Sequence, residues 1–440
     1  MKLSVLGSLI CFCILFTNCE DSFEAIEKIS NSFENHINEK IKEIKSTSSH
    51  GGFVFITDTH LNGNKRNSAK LIQQTIINTP IDLIIFGGDV VGAYGTKAEI
   101  IGQWQYHEDM YNMTKSYGKL INTRGNHDFT NRHSSADTLG YTYSQTDCAK
   151  LIYSNMTTDI VRPANNDSAC YYYHDDLANN IRYIVLESTD RTKSGDVYWG
   201  NIDGIGKTQL DWVANTAIKS TPSGYGIIFI AHIPIELGTN GNRKFYSDLS
   251  KIVGAVNKKD SGNIGLIEYD FSKLDNVKAL MFVSGHYHHD MQTFKDGILH
   301  VLTACDAAYG DVKSDPLLKV VPNRNGINSQ CFDCFTISKD RNTVIAIRVG
   351  YGGNRTFHMQ PIIMKSDDTI SLQSGLEGSI AWCSYNTSGN EYNNKKWTLI
   401  NDIVNVNNNG VVSCTGKIGE AIVVAEDTKQ NREFFYISVK

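Results

Sequence analysis

Five short blocks of this sequence gather residue types that ordinary turns seldom need: Asp58-Thr59-His60, Gly88-Asp89, Gly125-Asn126-His127-Asp128, His232 and Gly285-His286-Tyr287-His288. Carboxylate, imidazole and amide side chains in this mixture are ligands for divalent transition ions, and nitrogen with oxygen suits Zn, Fe or Mn better than Ca. Each block alone has a plain explanation. An Asp after Gly-Gly is a turn residue, a His in Ala-His-Ile-Pro is a half-buried imidazole, and His-x-His places two residues on one strand face. Their joint occurrence has no such explanation, because every block ends an apolar run. Two cations about 3.5 to 4 Å apart need a shared carboxylate, imidazole and amide ligands, and open positions for water and substrate.

The elements that would position these residues follow from the periodicity. Phe53-Val54-Phe55-Ile56-Thr57 is a continuous apolar run of the kind a buried parallel strand shows, and it ends at Asp58. A helical stretch from Ser68 to Ile77, the strand Asp82 to Phe86, a second helical stretch from Lys97 to Tyr117 and a strand into Gly125 complete a β-α-β-α-β order. Crossovers of this length predict neighbouring parallel strands, whose carboxyl ends are where open α/β sheets carry their sites. The pattern continues through strands at Cys170 to Tyr173 and Ile181 to Leu186, a helix at Lys207 to Ile218, and strands at Tyr225 to Ile230 and Ala279 to Val283. The strands Ile298 to Thr303, Cys334 to Ile337 and Val344 to Val349 are joined by short polar turns and are expected to be antiparallel. Beyond about residue 360 short alternating runs between Asn and Gly turns predict a small β-sandwich.

The chain has 440 residues, enough for two or three domains, and a formal charge of −5 without a long block of like charge, so no nucleic-acid or anionic-membrane surface is expected. Residues 1–19 have the basic start and apolar run of a secretory signal, which places the mature protein at the cell surface or outside the cell. Leu15 to Cys19 loosely matches a lipoprotein signal, leaving lipid attachment at Cys19 and plain cleavage both open. Phe23, Ile26, Ile29, Phe33, Ile37, Ile41 and Ile44 make residues 20–49 an amphipathic helix with a linker, either docked on the globular body or standing as a stalk. In an oxidising compartment, proximity suggests the pairs Cys148 with Cys170, Cys331 with Cys334, and Cys383 with Cys414, with Cys305 left over. The Asn-x-Ser/Thr sites at Asn112, Asn155, Asn166, Asn354 and Asn386 would carry sugar only in a eukaryotic secretory pathway.

The five blocks, in this order over about residues 50 to 350, resemble the signature of calcineurin-like metallophosphoesterases: D-x-H, G-D, G-N-H-D/E, a lone His and G-H-x-H. The resemblance implies an α/β fold, a four-layer αββα sandwich of two mixed sheets flanked by helices over residues 50–360. It implies one metal held by Asp58, His60, Asp89 and His288 and a second by Asp89, Asn126, His232 and His286, with hydroxide attacking a small phosphate ester. His127, oriented by Asp128, would then stabilise the transition state or protonate the leaving oxygen. Purple acid phosphatases carry a metal-bound tyrosine three residues after the bridging aspartate; here that position is Gly92 and Tyr94 comes too late, so a tyrosinate-iron site is not expected. The Ile56 to Leu61 block is similar to cyclic-nucleotide phosphodiesterases, which leaves mono- and diesterase readings both open. A surface-binding protein with an idle phosphoesterase scaffold is the competing class.

The tail, residues 361–440, resembles bacterial immunoglobulin-like domains of the Big-2 type through Ile403 to Val406, Gly410 to Val412 and Gly416 to Ala425, with Trp397 leading. That would imply a spacer or surface-binding module in which Cys383 and Cys414 could pair. Two further readings attach to the catalytic part. Arg348, Arg355 and His358 either reach a substrate phosphate or close the domain in a polar turn, the turn being favoured; Asn62 and Asn64, just past His60, stand as minor substrate contacts. Monoester or diester preference is expected to lie in the loops Phe129 to Tyr143 and Thr239 to Lys244.

Overall fold

The apolar runs form strands whose successive side chains face two different layers, which is why they read as continuous apolar segments. Phe53 and Phe55 point between two sheets, whereas Val54 and Ile56 point toward helices. A computed structural model describes residues 31–47, 49–60, 65–92, 97–128, 145–164, 166–190, 204–235, 246–265, 267–306, 326–388, 391–393 and 396–440. The leader with Cys19, Asn62, Asn64, Tyr94 and both proposed specificity loops lie outside the described residues.

Helix α1 (Asn31–Ser46) precedes β1 (Ser49–Ile56), α2 (Lys65–Asn78), β2 (Leu83–Phe86), α3 (Lys97–Thr114) and β3 (Lys119–Asn122). After α4 (Gln145–Ser154) come β4 (Tyr172–Asp176), β5 (Ile181–Leu186), α5 (Lys207–Trp212, continued by a π-helical turn Val213–Ile218), β6 (Gly226–Ala231) and α6 (Tyr246–Lys258). The hairpin β7 (Ser261–Ile264) and β8 (Ile267–Asp270) leads to β9 (Lys278–Ser284), β10 (Met291–Lys295), β11 (Ile298–Leu302), β12 (Cys331–Ser338), β13 (Thr343–Gly350) and β14 (Arg355–Met364). The tail adds β15 (Thr369–Ser371), β16 (Ala381–Asn386), β17 (Glu391–Asn393), β18 (Lys396–Thr398), β19 (Val404–Val406), β20 (Val411–Cys414), β21 (Gly419–Glu426) and β22 (Arg432–Val439).

Two mixed sheets stack face to face, one in the order β16-β21-β22-β14-β13-β12-β1-β2-β3 and the other β10-β11-β9-β6-β5-β4. Between them lie Phe53, Ile85, Ile121, Tyr183, Ile228, Met281 and Phe335, all essentially inaccessible to solvent. Helices α1 to α4 cover the outer face of the first sheet, while α5 and α6 cover that of the second, giving the expected αββα layers. Strands β1, β2 and β3 are parallel, with Ile56 beside Phe86 and Phe86 beside Asn122, so the residues that follow them emerge at one level. One strand departs from expectation. β11 is antiparallel to β10 but parallel to β9, because the 285–290 turn carries the chain past one strand position and the hairpin returns into the gap.

Helix α1 docks on the body along Phe33, Ile37, Ile41 and Ile44. The Asn354 side chain donates to Glu43 Oε2 at 2.8 Å and accepts from Lys40 at 3.2 Å, so its amide is a structural tie to α1. Cys331 and Cys334 cannot pair as expected: three residues apart on a strand they are separated by about 10 Å and face opposite sides. Cys148 and Cys170 are brought together as buried free thiols, Cys148 Sγ donating to the Asp128 carbonyl and Cys170 Sγ to the Ser168 carbonyl, each at 3.9 Å. Cys383 is exposed on β16 and Cys414 sits on β20, and both are free thiols.

The tail is rich in strands, but its strands do not keep to themselves. β22 inserts parallel to β14 and β21 pairs with β22, so both extend the first sheet, while β15, β20 and β19 form a separate three-stranded layer over them. Phe434 stacks on Phe357 with ring centroids 5.1 Å apart, inside the core between the sheets. Alternation in the sequence marks strands without saying which strands they join. Phe434→Ala is expected to lower a single cooperative unfolding transition by about 3–5 kcal/mol, read by denaturant titration. A tail that melted in its own separate transition, leaving the remainder unchanged, would contradict this packing.

Candidate metal centre

The turns following β1, β2, β3, β6 and β9 converge at the carboxyl edge of the sandwich, and their backbones interlock. Asp58 N–H donates to the Gly88 carbonyl at 3.0 Å and His60 N–H to the Asp89 carbonyl at 3.2 Å, joining the first two turns. His127 N–H donates to Asp89 Oδ1 at 2.7 Å and His286 N–H to Asp58 Oδ2 at 2.9 Å, bringing in the third and fifth. The fourth arrives through His232, whose Nδ1 lies 2.8 Å from the Gly87 carbonyl. A carbonyl only accepts, so Nδ1 carries a hydrogen and Nε2 faces the cluster.

Close approach is what the glycines provide. A Cβ on Gly125 would lie 2.1 Å from both Asp89 N and Oδ1, and one on Gly285 would lie 2.4 Å from Asp58 Oδ2. Asp58, Asp89, His286 and His288 themselves hold left-handed backbone, with φ of 53°, 52°, 78° and 61°. Non-glycine residues in this region are strained and persist where surrounding structure over-determines them, as it does at functional sites.

Three side-chain triplets have ligand atoms within 4.8 Å of one another: Asp58 with His60 and His288, Asp89 with His232 and His286, and His60 with Asp89 and His127. His288 Nε2 lies 3.1 Å from Asp58 Oδ1 and His232 Nε2 lies 3.0 Å from Asp89 Oδ2. The donor set fits borderline divalent cations, because imidazole nitrogen and carboxylate oxygen converge at spacings that two ligands of one ion require. The first two triplets come from the two ligand sets that the sequence resemblance implies. Asn126 is buried in the same turn. His127 approaches as well, its Nε2 lying 3.6 Å from Asp89 Oδ2.

Electrostatics bind the cluster together. Burial would raise the Asp58 and Asp89 carboxyls, but the His232 charge, helped by His288 for Asp58 and by His127 for Asp89, holds both below the usual carboxylate range. Burial would lower His232, yet Asp89 and Asp58 push it up to about 9. Burial carries His60 down to about 4.

Asp128 departs from its expected role behind the His127 ring. Its carboxylate accepts backbone N–H groups of Gly125 at 2.7 Å, Val90 at 2.8 Å and Asp89 at 3.0 Å, and it thereby clamps two ligand-bearing turns together. The His127 ring is held from another direction, with Nδ1 2.8 Å from the Gly92 carbonyl. Arg348 and Arg355 are also placed away from any substrate phosphate. Both are buried in a lattice with Asp333 and Asp290, Arg348 reaching Asp290 Oδ1 at 2.7 Å and Asp333 Oδ1 at 2.8 Å. Asp290 directly follows the Gly285 to His289 turn, so the lattice anchors that turn. His358 pairs with Glu433 at 2.6 Å.

Sequence reasoning missed Arg124 and Lys65. Arg124 is buried, ion-paired to Glu187, and donates to the Thr189 carbonyl at 2.9 Å, tying the third turn to the end of β5. Lys65, buried at the start of α2, donates to the Val90 carbonyl at 2.9 Å. The only sequence signal for Arg124 was a charged residue directly after an apolar run; Lys65 gave none.

The fold and this convergence of candidate metal ligands are those of the metallophosphoesterase class. Residues 52–290, more than half of the chain, match the family of calcineurin-like phosphoesterases, and the chain belongs to that family. Among solved structures it is similar to GAP50, the anchor in the inner membrane complex of Plasmodium, at 14% identity and a TM-score of 0.39 over 68% of this chain and 84% of that one. It is similar to phosphopantetheinyl hydrolase from Mycobacterium tuberculosis at 12% identity and a TM-score of 0.31, over 62% and 100% of the two chains. A putative 5'-nucleotidase from Staphylococcus aureus shares 11% identity at a TM-score of 0.33, over 70% of this chain and 54% of that one. These likenesses are too distant to bear on substrate. No curated protein matches the chain.

A cation entering the cluster must displace the proton on His232, since only the neutral ring ligates. With His232 near 9, the sign is that apparent metal affinity falls as pH drops below that value. The fall is expected to reach about tenfold per pH unit while one proton is displaced. Calorimetric titration of metal-stripped protein in buffers of different ionisation enthalpy counts that proton. Uptake at neutral pH with no proton release would contradict the assignment.

Proposed function

We propose that the protein hydrolyses small phosphate esters at a centre of two metal ions that share Asp89. The observation that carries this reading is the convergence of Asp58, His60, Asp89, His232, His286 and His288 at one sheet edge, with His127 beside them. Asp58, His60 and His288 would hold one ion with Asp89, and Asn126, His232 and His286 would hold the other with Asp89; Mn, Zn and Fe all suit these donors. Bound there, the ions polarise phosphoryl oxygens and lower the pKa of water to near neutral.

The protein's own residues supply the remainder. The Gly92 carbonyl accepts from His127 Nδ1–H and thereby leaves Nε2 turned toward the ligand cluster. In its cationic form that ring donates from Nε2, either to a phosphoryl oxygen gaining charge or to the departing alkoxide. Asp128 takes part through the backbone, keeping the Asp89 and Gly125 turns in register. The leader read in residues 1–19 supports action outside the cell or at its surface.

A panel of p-nitrophenyl phosphate, bis-p-nitrophenyl phosphate and cyclic nucleotides, each with Mn, Zn or Fe, tests the reading and separates mono- from diesterase activity. Asp89→Asn is expected to abolish turnover through loss of the shared charge. His127→Ala should retain its metal content, measured by elemental analysis, while kcat falls by about 10²–10⁴, most steeply for poor leaving groups. Full activity in Asp89→Asn would overturn the shared-ligand assignment.

A further inference from the structure

The segment that follows Asp89 is held peptide by peptide. Asp89 N–H and Val90 N–H donate to Asp128, and the Val90 carbonyl accepts from Lys65 of α2. Gly92 N–H donates to Gln103 Oε1 of α3 at 2.9 Å, and the Gly92 carbonyl then accepts from His127 Nδ1 at 2.8 Å. Gly92 has no side chain to pack, and glycine backbone is the most permissive of all. The direction of the carbonyl that orients His127 therefore depends on what holds Gly92 itself, and Gln103 holds its N–H.

We propose that Gln103 is a positioning residue for His127, acting through Gly92. The proposal rests on the reading of His127 as the proton-donating group of the site. The N–H and C=O of Gly92 lie in successive peptide units joined at a glycine Cα, so loss of the Gln103 acceptor releases the first unit and lets φ and ψ of Gly92 relax, which changes the direction of the carbonyl. Nδ1 then loses its fixed partner, and the imidazole populates both tautomers and more than one ring orientation. A side chain on helix α3, eleven residues past Gly92 and outside every signature block, thus governs the geometry of the catalytic ring. Residues that orient a working group in this way typically matter by about 10- to 100-fold.

Gln103→Leu and Gln103→Ala remove the acceptor, whereas Gln103→Glu retains an acceptor oxygen. The full chain, labelled with ¹⁵N-histidine and loaded with Zn, gives a direct readout, the His127 signals being assigned by their loss in His127→Ala. Wild type and Gln103→Glu should show the Nδ1–H tautomer; the two truncations should show a tautomer mixture. In turnover, Gln103→Leu should lower kcat at least about tenfold with poor leaving groups, with little change in KM or metal content. In the His127→Ala background the same change should add nothing. Unchanged His127 ring signals in both truncations would overturn the proposal, as would an equal loss of rate with and without His127. Altered ring signals in a protein inactive on every ester would uphold the positioning role and overturn the esterase reading instead.

Discussion

Two carboxylates, Asp58 and Asp89, are buried against one imidazole, with His232 Nε2 3.9 Å from the first and 3.0 Å from the second. Two unpaired negative charges in a protein interior would be prohibitively unfavourable, and the edge of the sandwich is arranged to offset them. Part of the compensation is the ring of histidines; part is the backbone, since each carboxylate also accepts a main-chain N–H from a different turn. Such compensation needs turns distant in sequence to touch, which explains why bulk is excluded at Gly125 and Gly285. It also explains why the parallel register of β1, β2 and β3 matters: a slip of one residue would move a ligand by about 3.3 Å and turn it to the wrong face.

Much of this was legible in the sequence. The strand-helix alternation and the parallel order of the first three strands follow from apolar periodicity, the αββα layers from the family resemblance, and the candidate ligand triplets fall within the signature blocks. What could not be read has a common physical cause: it depends on partners far away in the chain. Asp128 adjoins His127 in sequence, yet the tight turn at Gly125 sends its carboxylate back to four main-chain N–H groups, those of Gly125, Asp89, Val90 and Val91. The sequence favours a polar turn over a phosphate contact for Arg348 and Arg355, but their buried pairing is not legible in it, because the carboxylate partners Asp290 and Asp333 come from other parts of the chain. Cys331 and Cys334 looked paired by proximity, but strand geometry sets them apart, whereas Cys148 and Cys170, more distant in sequence, do meet.

The Asp290, Asp333, Arg348 and Arg355 lattice also shows how the two sheets are made to agree at the site. Asp333, Arg348 and Arg355 belong to β12, β13 and β14 of the first sheet, and Asp290 leads into β10 of the second. The bidentate arginine contacts fix orientation as well as distance. The turn carrying His286 and His288 thus comes from one sheet and is steadied by the other, so the alignment of the layers becomes a condition for the ligand cluster.

The position of β22 has a consequence for how the chain reaches this state. Residues 432–439 lie between β21 and β14, in the interior of the nine-stranded sheet. During synthesis, the segment from β1 to β14 emerges with β14 as an open edge and with Phe357 lacking the ring that covers it. Non-local strand pairing of this kind is slow and leaves apolar surface and strand edges open to misassociation. Strand β22 therefore works as a latch on the order of assembly: until it arrives, β14 is an open edge of the long sheet.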